Sequence, residues 1–276
     1  MRTRRLAGQE VPIIGQGTYG MNHDDHAAAI AALRRGVELG LTHIDTAELY
    51  GSGDVEELVR EAIAGVRERV YLVSKVLPSN ASRQGTIISC EHSLRRLGTD
   101  HLDLYLLHWA GPHPPEDTLA AFEQLVREGK ILAYGVSNFD VKALEAAWAL
   151  AGEQLACNQV CYHLGARYIE RAVLPWCQAH GVALVGYSPF GQRSFPAGGA
   201  GFAVLRKIAR SRGVTPRQVA LAFLLREEGS FTIPKSSVVA HVEENAAAAG
   251  LVLSAEEIAA IDAVFPLGRD RGLPYL

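Results

Sequence analysis

Three strand-like runs of this chain end in a side chain that carries charge or moves a proton. Leu41-Thr42-His43-Ile44 ends at Asp45, with Tyr50 a short turn further on. Val70-Tyr71-Leu72-Val73-Ser74 ends at Lys75, and the run from Leu102 to Leu107 ends at His108. Free tyrosine, with a pKa of about 10, is a poor acid unless a cation lies beside it. Lys75 would supply that cation, and Asp45 would keep Lys75 charged and aimed. His108 would hydrogen-bond a substrate oxygen and fix its orientation. Such a set gives a proton to a developing alkoxide, which is half of what carbonyl reduction needs. The other half is a hydride donor. Each residue has a plainer role: Asp45 as a helix cap, Tyr50 as a half-buried loop aromatic, Lys75 as a solvated strand end, His108 as a satisfied core histidine. Their recurrence at successive strand ends favours the chemical reading.

Strand ends share a rim only where the strands run parallel, and the rest of the chain alternates accordingly. Glu10 to Gly17 reads as a hairpin arm entering a first strand. Helical periodicity follows from Asp24 to Leu39, with Asp24-Asp25 as caps and Gly40 as the stop. Further helices are expected at 54–65, 84–97, 117–128, 141–150, 169–180, 202–212, 216–227, 238–249 and 255–264. Strands are expected between them at 131–136, 155–160, 182–187 and 231–234. Strict alternation argues for a parallel sheet. Eight β/α units with no linker predict a single domain over residues 1–276: a (β/α)8 TIM barrel with a short N-terminal β-hairpin. A doubly wound sheet should carry a Gly-rich dinucleotide fingerprint after its first strand, and Gly15-Gln16-Gly17-Thr18-Tyr19-Gly20 has the wrong spacing.

Composition narrows the partners. The 276 residues are 48% apolar and 21% charged with a net charge of −3. A pI near 6.4 gives no support for nucleic acid or an anionic membrane surface as partner. The basic cluster Arg2 to Arg5 precedes no apolar run, so it does not read as a signal peptide, and no run is long enough to span a membrane. Cys90, Cys157, Cys161 and Cys177 match no disulfide or zinc spacing. Structural thiols, no metal and a reducing cytoplasm are the expectation, with a monomer as the working unit.

The segment Gly40-Leu41-Thr42-His43-Ile44-Asp45-Thr46-Ala47-Glu48-Leu49-Tyr50-Gly51 resembles the signature of the aldo-keto reductases around their catalytic Asp and Tyr. Ser74-Lys75, Leu106-Leu107-His108-Trp109, Gly135-Val136-Ser137-Asn138-Phe139, Asn158-Gln159-Val160, Tyr187-Ser188-Pro189 and Ile233-Pro234-Lys235-Ser236 continue the likeness in order. Leu174-Pro175-Trp176-Cys177-Gln178 and Ala240-His241-Val242 bring it closer to the bacterial YeaE-type methylglyoxal reductases.

The resemblance implies NADPH-dependent reduction of aldehydes, ketones or reactive dicarbonyls, with Tyr50 as the acid, Lys75 and Asp45 as its modulators and His108 as the substrate orienter. It implies that Ser137, Asn138 and Gln159 hold the nicotinamide carboxamide and that Tyr187 stacks on the ring. Gly17, Thr18, Ser188, Pro189 and Gly191 belong to the same cofactor site, and Lys235, Ser236, His241, Glu244 and Asn245 to its adenosine end. His241 stands where most NADP-dependent members carry an Arg, so use of NADH is also possible. Tyr19, Met21 and Trp109 would wall the substrate pocket. The 11 residues after Phe265 make a short tail, consistent with an open pocket. Two rivals are a nucleotide-sensing module without turnover, and a Schiff-base lyase using Lys75.

Overall fold

The chain opens on an antiparallel hairpin, β1 (Thr3–Leu6) and β2 (Gln9–Pro12). It lies upstream of the segment expected from the sequence, because the turn falls at Ala7-Gly8. Both residues take left-handed φ, 49° and 80°, the conformation that matches the twist of a tight hairpin. Eight parallel strands follow: β3 (Gln16–Gly17), β4 (His43–Asp45), β5 (Tyr71–Val76), β6 (Leu104–Leu107), β7 (Tyr134–Ser137), β8 (Leu155–Cys161), β9 (Ala183–Tyr187) and β10 (Ser230–Ile233). They pair in sequence order. Parallel bridges Ile14–Thr232 and Gly17–Lys235 join the last strand to the first and close the barrel. Residues 1–192, 194–268 and 273 are described in this computed structural model. Part of the tail after Phe265 therefore lies outside the described residues.

Ten helices surround the strands among the described residues: α1 (His26–Glu38), α2 (Asp54–Ala62), α3 (Arg83–Leu97), α4 (Pro115–Arg127), α5 (Val141–Ala151), α6 (Val173–Ala179), α7 (Gly199–Arg212), α8 (Pro216–Leu224), α9 (Val239–Ala248) and α10 (Ala255–Val264). Their starts follow the sequence signals. The side chains of Asp25, Ser82 and Asp140 accept first-turn N–H bonds, and Thr215 and Ser254 complete capping boxes. The helix expected over 169–180 is instead a 3-10 turn, Tyr168–Arg171, followed by α6. Pro175 has no N–H to give, so it fits only in the first turn of a helix that starts at Val173. The strand expected over 131–136 also begins late, Ile131 making only a single bridge to Leu102.

Side-chain parity along the strands puts the chemistry inside the barrel. Alternate residues face the lumen, where Tyr71, Val73, Leu104, Leu106, Cys157, Val185, Phe231 and Ile233 pack together. Two residues beyond Val73, Leu106, Cys157 and Val185 come Lys75, His108, Gln159 and Tyr187. The site is therefore the top layer of the same stack that fills the barrel. At the opposite end Leu6 and Val11 of the hairpin join the lumen cluster. Arg4 donates to the carbonyls of Ser230 (2.6 Å) and Leu225 (2.8 Å), fastening the hairpin as a floor. All four cysteines are free and buried, and burial raises Cys161 and Cys177 to about 12, so both are inert thiols at neutral pH. Among the described residues no helix is long and apolar enough to cross a membrane, and no three His, Cys, Asp or Glu side chains cluster as a metal site.

Candidate active site

Lys75 is wholly buried, and it keeps its charge because three acceptors surround it. Its Nζ donates to Asp45 Oδ1 at 2.5 Å, to the carbonyl of Thr46 at 2.9 Å and to the Tyr50 hydroxyl at 3.2 Å. Burial alone would lower its pKa, but Asp45 and Tyr50 together outweigh burial and raise it. Asp45 is held in turn: Gln159 Nε2 donates to its Oδ2 at 2.7 Å, and Thr18 Oγ1 to its backbone carbonyl at 2.9 Å. The Asp45–Lys75 pair therefore rests on strands β4, β5 and β8 together.

Tyr50 sits half-buried on the turn after β4, its ring 5.0 Å from Lys75 Nζ. The rings of Tyr19 and His108 flank it edge-on at 5.3 and 5.8 Å. The sequence predicts a phenol made more acidic by Lys75. In the structure burial is the larger effect and Tyr50 is raised overall, with Lys75 pulling against it. The consequence is a phenol that stays protonated at neutral pH. It is still a far stronger acid than an alcohol, and a cation lies ready to stabilise the phenolate once the proton has left.

His108 is 8% exposed, and its Nδ1 is buried with no hydrogen-bond partner among the described residues. Burial, and then the nearby Lys75, push its pKa down to about 2, so the ring is neutral and offers one donor and one acceptor.

Beside these groups lies an amide-rich wall. Ser137 Oγ donates to the Gln159 carbonyl (2.9 Å), Asn138 Nδ2 to Ser137 Oγ and to the His108 carbonyl (both 3.1 Å), and the Tyr187 hydroxyl to Asn138 Oδ1 (2.9 Å). Asn138 and Ser188 both adopt left-handed backbone, φ 61° and 51°, a conformation that costs energy outside glycine and concentrates at functional sites. Asn158, one step out of phase on β8, faces away and grips the backbone of Phe139 at both N and O.

These residues open on a cleft of about 1200 Å³, larger than the roughly 300–1000 Å³ typical of a single drug-sized ligand. Gly17, Thr18, Tyr19, Asp45, Tyr50, His108, Trp109, Ser137, Asn138, Gln159, Tyr187, Ser188, Pro189 and Lys235 all line it. Lys75 does not line the cleft itself and stands behind Tyr50. Met21 does not wall the pocket: it is 1% exposed and packs in the main core, because Gly20, at φ 76°, starts a turn that sends the next side chain inward. Gly191, Ser236, His241, Glu244 and Asn245 are not among the lining residues either. His241 is exposed in the first turn of α9, whose start has no side-chain cap. Glu244 is engaged structurally, accepting from Thr215 with its side chain and from Gln218 with its carbonyl.

Leu49, Ala110, Phe190, Gln192 and Ile233 line the cleft without having been singled out in the sequence. Their only signal was adjacency to a motif residue.

Comparison with known proteins agrees with this geometry. The model of the aldo/keto reductase family matches residues 13–265. The chain is 47% identical over 260 residues to the methylglyoxal reductase YeaE of Escherichia coli, covering 93% of this chain and 92% of that protein. It is 33% identical over 257 residues to a glyoxal reductase of Bacillus subtilis, covering 93% and 90%. Among solved structures, an aldo/keto reductase from Klebsiella pneumoniae in complex with NADP and acetate superposes with a TM-score of 0.95 at 45% identity, covering 100% of this chain and 99% of that one. A second Klebsiella structure, in complex with NADPH, matches equally well.

Proposed function

The chain belongs to the aldo/keto reductase family, and from that premise we propose that it reduces small reactive carbonyls such as methylglyoxal to alcohols with NADPH. One observation carries the chemistry: the Tyr50 hydroxyl, on the wall of the cleft, is 3.2 Å from a buried ammonium that Asp45 keeps charged. The cleft fits the cofactor, offering the amide wall of Asn138 and Gln159, the aromatic face of Tyr187 and the cation of Lys235. Bound there, NADPH supplies the hydride.

The protein's own residues do the rest. His108 donates to the carbonyl oxygen of the substrate and turns its carbon toward the hydride. As negative charge develops on that oxygen, Tyr50 gives up its proton and becomes a phenolate beside Lys75. Solvent then reprotonates Tyr50. Ser137, Asn138 and Gln159 would hold the carboxamide of the cofactor and Tyr187 would lie against its ring. Tyr19, Leu49 and Trp109 provide an apolar approach for a small substrate.

The rival readings meet specific obstacles. A lyase would need Lys75 as a neutral, reachable amine, whereas it has no exposed surface, is charged and is held by three acceptors. A sensor without turnover has no use for a complete proton-transfer set. The working unit in this reading is a monomer, and four free thiols suit the cytoplasm. The test is the loss of NADPH absorbance against a carbonyl panel that includes methylglyoxal. Substrate-dependent oxidation supports the reading, and cofactor binding without turnover on any carbonyl would overturn it.

A further inference from the structure

Asp24 does something that α1 does not require. The neighbouring Asp25 caps that helix, its Oδ1 accepting from Ala28 N at 2.8 Å. Asp24 turns the other way, and its Oδ2 accepts from both Lys235 Nζ and Ser237 Oγ. Asp24 lies between β3 and α1, while Lys235 and Ser237 lie between β10 and α9. The contact therefore crosses the seam where the first and last strands close the barrel. Lys235 is the only lysine or arginine among the described residues that line the cleft. The pair stands at the rim, its side chains 33% and 28% exposed, where an incoming anion can reach it. Burial alone would push the Asp24 carboxyl up, but the two donors outweigh it and hold it ionised.

We propose that Asp24 is an internal stand-in for the 2′-phosphate of the cofactor. Its carboxylate occupies Lys235 and Ser237 when the cleft is empty and competes for them when NADPH binds. The inference rests on the NADPH reading above, and in particular on Lys235 meeting the 2′-phosphate. A phosphate oxygen and a carboxylate oxygen make the same demand on an ammonium and a hydroxyl, so each excludes the other from the closest contact. The competition weakens NADPH selectively, because NADH carries no group that needs Lys235 freed. It also speeds release, since Asp24 can retake the lysine as the phosphate withdraws, and in many enzymes release rather than chemistry sets turnover. With His241 in place of an arginine at the start of α9, Lys235 is the main fixed charge available, so the competitor acts on the contact that matters most.

The experiment uses the full chain as wild type, Asp24→Asn, Lys235→Met and the double variant. Dissociation constants for NADPH and NADH are measured by quenching of protein fluorescence, and NADPH release by stopped flow. Asp24→Asn keeps an acceptor for Ser237 and removes only the charge. It should tighten NADPH by about five- to twentyfold, mainly through slower release, as expected on removing a charged competitor from one ion pair, and change NADH less than about twofold. In the Lys235→Met background the same substitution should change neither cofactor. NADPH binding that is unchanged or weaker in Asp24→Asn would overturn the proposal and make Asp24 a positioning residue for Lys235. Equal tightening of both cofactors would overturn the assignment to the 2′-phosphate. If Lys235→Met alone leaves NADPH affinity intact, the placement of Lys235 in the cofactor site fails first, and the proposal falls with it.

Discussion

Asp45 and Lys75 allow the fold and the chemistry to be separated. Lys75 is 0% exposed and Asp45 1%, and they meet at 2.5 Å. Asp45→Asn leaves the ammonium with neutral acceptors only, the Asn amide oxygen, the Thr46 carbonyl and the Tyr50 hydroxyl. An uncompensated buried charge costs about 3–5 kcal/mol. For a chain of this size each kcal/mol moves Tm by roughly 2–4 °C, so the variant should melt about 6–20 °C lower. Lys75→Met strands Asp45 in the same way, with Gln159 Nε2 still donating to its carboxylate, and should cost a similar amount. The double variant removes both charges, and a buried pair replaced by neutral groups is often nearly neutral in stability. It should recover to within about 2 kcal/mol of wild type, a coupling of several kcal/mol in the cycle. Activity should not recover, because the phenol has lost its cation in both Lys75→Met and the double variant. Urea and thermal unfolding followed by circular dichroism, beside initial rates of NADPH oxidation, measure both. Additive losses of stability would refute the claim that the pair compensates itself, and activity returning with stability would refute Lys75 as part of the chemistry.

Three further outcomes follow from other groups. His43 is wholly buried, both ring nitrogens have no hydrogen-bond partner among the described residues, and burial lowers its pKa from 6.5 to about 4. Between those values the unfolded chain binds the extra proton. Stability present above pH 6.5 should therefore fall by up to about 3 kcal/mol as pH drops through 4, and His43→Leu should flatten that limb of urea midpoints against pH. His108, pushed down to about 2, should put no step into kcat/KM between pH 5 and 8, and a step near 6.5 abolished by His108→Gln would contradict its neutral role. His241→Arg should tighten NADPH by about 1–2 kcal/mol and leave NADH unchanged in fluorescence titrations, and equal effects on both would place position 241 away from the 2′-phosphate.

The placement of several cleft residues was legible because parallel strands impose a simple rule. A polar side chain in phase with the lumen residues, at a C-terminal strand end, must face the cleft. Asp45, Lys75, His108 and Gln159 obey it, and the structure joins Asp45 to Lys75 and, across 114 positions of sequence, to Gln159. What escaped was set by turns, whose conformation no periodicity encodes. Gly20 turned Met21 into the core, and the Ala7-Gly8 turn placed the hairpin earlier than expected. Asp24 and Asp25 read as interchangeable caps, yet only three-dimensional closure of the barrel assigns one to α1 and the other to Lys235. The net direction of the Tyr50 shift was also hidden, since the sequence names the cation beside the phenol but not the depth of burial that opposes it.

The central claim is that Tyr50 delivers the proton. It is tested most directly by the turnover of Tyr50→Phe with methylglyoxal, measured alongside NADPH affinity and melting temperature. Phe keeps the ring between Tyr19 and His108 and removes only the hydroxyl at 3.2 Å from Lys75. The account predicts a loss of kcat of about a hundredfold or more, the usual scale for a positioned acid, with NADPH affinity and melting temperature close to wild type. A folded Tyr50→Phe enzyme that turns over within a fewfold of wild type would contradict it.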